Sequence, residues 1–232
     1  MGNSLLSIDW DYFISSEDQD ILSCVENNRT IIEEWYKRYF KMKSKGLDIH
    51  QYYQLSNEID TFWDKIKQIF RIEESTKVFV SDSHVLSYNI AKNFKCDKVY
   101  LFDAHADLGY GGYSSLTFEV NCANWLGHLL KQKQIKEANI IYSPYTKERP
   151  EYFNKMNKRF NIKYLKMKDL INLSTNVIHI CRSGAWSPPW FDNEFTRFVK
   201  SLNIPFKVVD CPSRRWKTNN LTLADQIHYL MA

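Results

Sequence analysis

Short apolar runs alternate with longer stretches in which apolar residues recur every three or four positions, and the alternation continues along the chain. The short runs, rich in β-branched and aromatic residues, predict strands at Leu5–Asp9, Lys77–Ser81, Lys98–Phe102, Asn139–Tyr142, Ile162–Lys166, Val177–Cys181 and Phe206–Asp210. Several are almost continuously apolar, as strands covered on both faces are. Between Arg29 and Phe70, Ile31, Ile32, Trp35 and Tyr39, then Ile59, Phe62, Ile66 and Ile69, mark two amphipathic helices broken near Gly46. Further helices are predicted over His84–Phe94, Ala123–Lys133, Glu151–Phe160, Asp192–Leu202 and Leu223–Leu230. Strand–helix alternation without a repeat or a Pro/Gly-rich linker predicts one α/β domain over residues 1–232. Its sheet is expected to be mainly parallel, with a helical insertion at about 29–70. In such sheets ligands bind beyond the carboxyl ends of the strands, so the segments just after the apolar runs hold the candidate chemistry.

Composition changes this picture little. The chain is 44% hydrophobic, enough for a sizeable core, and its net charge of +4 is too small and too dispersed to argue for nucleic acid. Five cysteines with no CxxC pair point to a reducing, cytoplasmic setting. The first residues lack the pattern of a signal peptide, and no apolar stretch reaches membrane-spanning length. The aromatic fraction of 15% is high, which favours a core and a cleft both built from large rings.

Three predicted strands end in metal-competent side chains: Ser7-Ile8-Asp9-Trp10-Asp11, Ser81-Asp82-Ser83-His84 and Asp103-Ala104-His105-Ala106-Asp107. In extended chain alternate side chains share a face, so Asp9 with Asp11, and Asp103 with His105 and Asp107, are expected to converge. Carboxylates gathered at the ends of apolar strands repel one another and are costly to desolvate. A pair of divalent cations removes both penalties. A ligand set of Asp9, Asp11, His84, Asp103, His105 and Asp107, rich in oxygen and free of thiolate, suits two manganese ions. Taken singly, a DxD after a strand or a lone histidine has an ordinary structural reading; three such clusters at strand ends together do not. His128 on a helix with Leu126, Leu129 and Leu130, His179 inside a strand, and His50 and His228 are read as structural or surface residues. Arg214-Arg215-Trp216-Lys217 is read as a solvated face.

Asp103-Ala104-His105-Ala106-Asp107 resembles the DAHxD signature of the arginase and agmatinase superfamily, and Ser7-Ile8-Asp9-Trp10-Asp11 is similar to its SxDxD segment. Ser81-Asp82-Ser83-His84 resembles the segment that supplies a ligating histidine. The resemblance implies a three-layer α/β/α fold in which Asp103 and Asp9 bridge two ions. His84 and Asp107 would complete one ion and His105 and Asp11 the other, with Asp107 carrying a proton to the leaving amine. The chain departs from classical arginases in placing the DxD strand at its N-terminus, in lacking an acidic pair after Val177–Cys181, and in carrying Asn121-Cys122-Ala123-Asn124-Trp125 where those enzymes have a His-Gly segment. It is closer to an arginase-like family that includes peptide arginases, which convert arginine residues of ribosomally made precursor peptides to ornithine. That resemblance implies a peptide partner, no nucleic acid and no membrane.

Asn121, Asn124, Arg182, Ser183 and Trp186 follow strand ends and are expected to contact substrate, with Trp186–Trp190 as a wall. Glu17, Asp18, Glu119, Asp192 and Glu194 are candidates to hold the guanidinium. The competing expectations are a ureohydrolase of a free guanidino compound, a single-zinc deacetylase-like amidohydrolase, and a non-catalytic peptide-binding module.

Overall fold

In a computed structural model, residues 3–17 and 31–231 are described. Asp18 and Cys24 lie outside them, as do Arg29 and Thr30 at the start of the expected insertion. The apolar runs form β1 (Asn3–Asp9), β2 (Lys77–Ser81), β3 (Cys96–Asp103), β4 (Glu137–Tyr142), β5 (Ile162–Tyr164), β6 (Val177–Cys181) and β7 (Phe206–Asp210). They join in one sheet in the order β7-β2-β6-β1-β3-β4-β5, and every pairing is parallel. β1 lies at the centre, hydrogen-bonded to β6 on one side and to β3 on the other.

The two-residue period of the strands divides the core. Leu6, Ile8, Tyr100, Phe102, Ile178 and Ile180 face one layer, where Phe62, Trp63 and Ile66 of α2 (Phe62–Ile69) and Phe195 and Phe198 of α6 (Asp192–Ser201) meet them. Trp35 of α1 (Ile31–Ser44) belongs to the same layer. Leu5, Val99, Leu101, Ile140 and Val177 face the other. There they meet Ile90 of α3 (Leu86–Asn93), Leu126 and Leu129 of α4 (Trp125–Lys131) and Met156 of α5 (Asn154–Asn157). The result is the expected three-layer α/β/α arrangement. A last helix, α7 (Leu223–Met231), contacts α1.

Several expectations need correcting. The predicted helix over Glu151–Phe160 is a 3-10 turn at Pro150–Phe153 followed by the single turn of α5, so the periodicity there overstates regular structure. The insertion is not purely helical: Tyr53–Leu55 pairs antiparallel with Ile14–Ser16, and 3-10 turns occupy Ile49–Tyr52 and Asn57–Asp60. Its helix α2 packs into the core. Among the described residues no helix is long and apolar enough to cross a membrane.

Candidate metal centre

β1 ends at Asp9, and the chain turns at once into a 3-10 turn, Trp10–Phe13. The turn is fixed from both sides. Asp9 Oδ1 accepts from the Asp11 amide at 3.0 Å, and Trp10 and Phe13 pack on each other and on Phe198 with ring centroids 5.0–5.4 Å apart. The aromatic residues of Asp-Trp-Asp-Tyr-Phe thus anchor in the core while the two acids face the carboxyl edge. This differs from the expected extended DxD: Asp11 reaches the site because the strand has ended. The Asp103–Asp107 segment likewise leaves its strand at Asp103, and Asp107 adopts a left-handed conformation with φ of 50°. Its carbonyl accepts from the Leu126 and Gly127 amides at 3.1 and 3.2 Å, and Trp125 Nε1 donates to its Oδ2 at 2.6 Å. Gly127 is required there, because a Cβ would lie 2.4 Å from the Leu108 carbonyl oxygen.

Two groups share Asp103. Asp9, His84 and Asp103 form one, and Asp11, Asp103 and His105 the other, each with ligand atoms within 4.8 Å of one another. His84 Nδ1 lies 3.1 Å from oxygens of both Asp9 and Asp103 and 3.0 Å from Asp107 Oδ2. His105 Nδ1 lies 2.9 Å from Asp11 Oδ2 and 3.5 Å from Asp103 Oδ1. All six sequence-predicted ligands therefore meet at one place.

The electrostatics are those of a site short of positive charge. Burial, then the charges of Asp11, Asp107 and Asp9, push the Asp103 carboxyl well above the usual carboxylate range. Burial and Asp11 raise Asp9 to about 6. Against burial, the surrounding carboxylates raise both His84 and His105 well above the ordinary imidazole value. Asp11 departs the other way: burial opposes ionisation, but His105 outweighs it and lowers the carboxyl. Yet His84 Nδ1 and Asp103 Oδ2 are buried and make no hydrogen bond. Buried polar atoms are rarely left so, and here a ring nitrogen and a carboxylate oxygen point into the same space. The donor set fits a divalent metal ion.

Comparison with protein-family models, curated proteins and solved structures gives no match to this chain. The reading of the site rests on its residues.

Above the cluster opens a cleft of about 640 Å³, lined by Asp9, Asp11, His84, His105 and Asp107 and walled by Tyr110, Asn121, Ser183 and Trp186. That volume suits a small molecule or an extended side chain. Ser183, left-handed at φ 49°, donates its hydroxyl hydrogen bond to Asp9 Oδ2. Trp186 stands 6.1 Å from the His105 ring. Of the expected substrate residues, Asn121, Ser183 and Trp186 reach the cleft.

Two of them do not. Asn124 is buried, accepting from the Asn121 amide and donating to the Glu119 carbonyl, and so braces its own loop. Arg182 is buried and spent on protein partners: Nε donates to Asp82 Oδ1 at 2.6 Å, Nη1 to Asp192 at 3.2 Å and Nη2 to the Pro212 carbonyl at 2.7 Å. Trp190 packs on Trp35, Tyr53 and His50, so only the first tryptophan of the expected wall belongs to the cleft. Arg214 is no solvated residue either. It pairs with Asp192 and donates to the Gly184 and Ser187 carbonyls at 2.7 Å each.

Among the guanidinium candidates, Asp192 is held by two arginines, Glu194 pairs with Arg197, and Glu17 and Glu119 are exposed and line no part of the cleft. The acid that lines it outside the candidate ligands is Glu148, which the sequence reading missed. Its carboxylate accepts from the Ala106 amide at 2.8 Å, Tyr110 at 2.5 Å and Tyr142 at 3.2 Å. Burial raises its pKa, with His105 and Tyr110 pulling against the rise. In sequence Glu148 sits in Thr146-Lys147-Glu148-Arg149, a polar run indistinguishable from a solvated loop.

Proposed function

We propose that this chain is a dimanganese hydrolase that converts arginine residues of a peptide to ornithine with release of urea. The observation that carries the reading is Asp103: it belongs to two ligand groups at once, and a buried oxygen of it and His84 Nδ1 face each other at 3.1 Å with no hydrogen bond made by either. Asp9, His84, Asp103 and Asp107 would hold one ion, and Asp11, Asp103 and His105 the other. When bound, such a pair neutralises the acids and brings the pKa of a water near neutrality.

The chain's own residues then divide the work. Glu148, at the wall of the cleft and fixed by three donors, offers its remaining lone pair, on Oε1, to a guanidinium. Trp186 gives that planar cation a ring to lie on. Asp107, held by Trp125, is placed to take a proton and return it to the leaving amine. Tyr110 and Tyr152, exposed at the rim, and Asn121 offer rings and amide groups to a peptide backbone rather than a pocket for a free amino acid's charged ends.

The test supplies manganese-loaded protein with arginine peptides and, separately, with free arginine at equal concentration. Mass spectrometry should show loss of CN₂H₂ from peptide arginine, with urea released more slowly from the free amino acid. Glu148→Gln should raise KM with metal content unchanged. Faster urea release from free arginine would return the protein to the ureohydrolases of small guanidino compounds. No urea from either would remove the hydrolase reading.

A further inference from the structure

Beneath His84, in the layer between the sheet and α3, four polar side chains occupy positions that the strand pattern would assign to apolar residues. Ser7 of β1, Ser81 of β2, Ser87 of α3 and His179 of β6 are all buried. They form one chain of hydrogen bonds: His84 Nε2 to Ser7 Oγ at 2.8 Å, Ser7 Oγ to Ser87 Oγ at 2.8 Å, Ser87 Oγ to His179 Nδ1 at 2.6 Å, and His179 Nε2 to Ser81 Oγ at 2.8 Å. Ser81 Oγ also lies 2.7 Å from the Ser83 carbonyl oxygen.

That last contact sets the direction of all the others. A carbonyl oxygen only accepts, so the single hydroxyl proton of Ser81 goes to Ser83. Ser81 must then accept from His179 Nε2–H. His179 is buried, and its hydrogen-bond partners on both sides are serine hydroxyls, neutral groups that hold no second proton on the ring. With one proton, placed on Nε2, its Nδ1 can only accept, so Ser87 donates to it. Ser87 in turn accepts from Ser7, and Ser7 accepts from His84 Nε2–H.

We infer that the Ser81–His179–Ser87–Ser7 chain is a positioning device that holds the His84 proton on Nε2, so that Nδ1 meets the carboxylates of Asp9, Asp103 and Asp107 as a ligand. The inference rests on the metal reading for its purpose, and on the hydrogen-bond directions for its content. Partners of this kind fix the orientation and tautomer of a ligating imidazole, and their loss weakens metal affinity by about 10–100-fold. Glutamine at position 179 offers one acceptor and one donor, as neutral histidine does, whereas leucine offers neither.

Nitrogen-15 NMR of histidine-labelled, metal-free protein at neutral pH reads the His179 tautomer directly. A neutral ring with its proton on Nε2 is expected, and a proton on Nδ1 would overturn the inference whatever the metal does. Calorimetric titration with manganese then compares variants. Ser87→Ala and His179→Leu should lose about 10–100-fold in affinity for one ion, the ion held with Asp11 and His105 staying near wild type, and His179→Gln should recover most of the loss. Wild-type affinity for both ions in Ser87→Ala, with circular dichroism showing the native fold, would also overturn it. A wild-type protein that binds no manganese would instead sink the metal reading, leaving the NMR result to decide the direction of the chain.

Discussion

Two buried clusters of charge lie beyond the carboxyl ends of neighbouring strands, and they are solved in opposite ways. In one, Asp82 and Asp192 meet Arg182 and Arg214, two acids against two guanidinium groups, with the remaining donors taken by the carbonyls of Pro212, Gly184 and Ser187. In the other, Asp9, Asp11, Asp103 and Asp107 face two imidazoles, and His84 Nδ1 and Asp103 Oδ2 make no hydrogen bond. The first carries its own cations and is complete. The second lacks positive charge and could hold a metal ion. An acid-rich sequence motif does not separate the two cases; the separation comes from whether a guanidinium lies within reach.

The largest effect should come from charge removal in the second cluster. Asp103→Asn relieves repulsion, so the metal-free variant should melt higher than metal-free wild type. It should also lose most of the response to manganese, which in wild type at a hundredfold excess over Kd amounts to about 2.7 kcal/mol per site. Thermal melts with and without the ion read both signs. A variant that stays less stable than wild type when metal-free, yet still gains from manganese, would mean that the cluster is not starved of cations. In the complete cluster the sign reverses: Arg182→Met strands Asp82 in the interior and should cost about 3–5 kcal/mol in urea unfolding. Manganese content should stay at the wild-type level. Loss of metal without loss of stability would show that the two clusters are one.

The smallest effect calibrates the comparison at the far end of the sheet. Glu137 at the start of β4 lies among Lys163, Lys98 and Asn139; burial alone would raise its pKa, but these partners hold it down at about 2. Because the folded value is depressed, its contribution is complete above the unfolded value of about 4.3 and is lost as pH falls from there toward 2. The stability gap between wild type and Glu137→Gln, on the order of 1 kcal/mol, should therefore close across that window in acid unfolding experiments. A gap unchanged at the acid end would remove Glu137 from the ledger of paired charges.

How far the sequence could be read follows the same physics. Strand positions were legible because a sheet covered on both faces needs apolar residues at nearly every position, and Lys77–Ser81 and Val177–Cys181 stand where the pattern puts them; the edge strand Phe206–Asp210 also does, although its residues are exposed. The convergence of the six candidate ligands was legible because acids and imidazoles at the ends of such strands have few structural uses. Arg182 was misread for a related reason: it too follows a strand end, but Asp82 on the adjoining β2 captures it, and strand adjacency is not written in any local pattern. Glu148 was invisible because it is held by the Ala106 amide and Tyr110, 42 and 38 residues away in sequence, as well as by the nearer Tyr142. His179 was correctly placed in a strand; its link to His84 through two serines required coordinates.

The central place of β1 bears on the order in which the molecule can be made. His84 follows β2, and β2 does not touch β1: β6 lies between them, with Leu5 paired to Val177 and Val177 to Lys77. Asp9 and His84 therefore cannot be set side by side until Val177–Cys181 has been synthesised and inserted. At about 5–20 residues per second, that leaves the first acids waiting on the order of 10–30 s. Contacts so distant in sequence also form late in folding. The nascent chain thus carries its acids hydrated and apart, and the six side chains come together only in the nearly finished molecule.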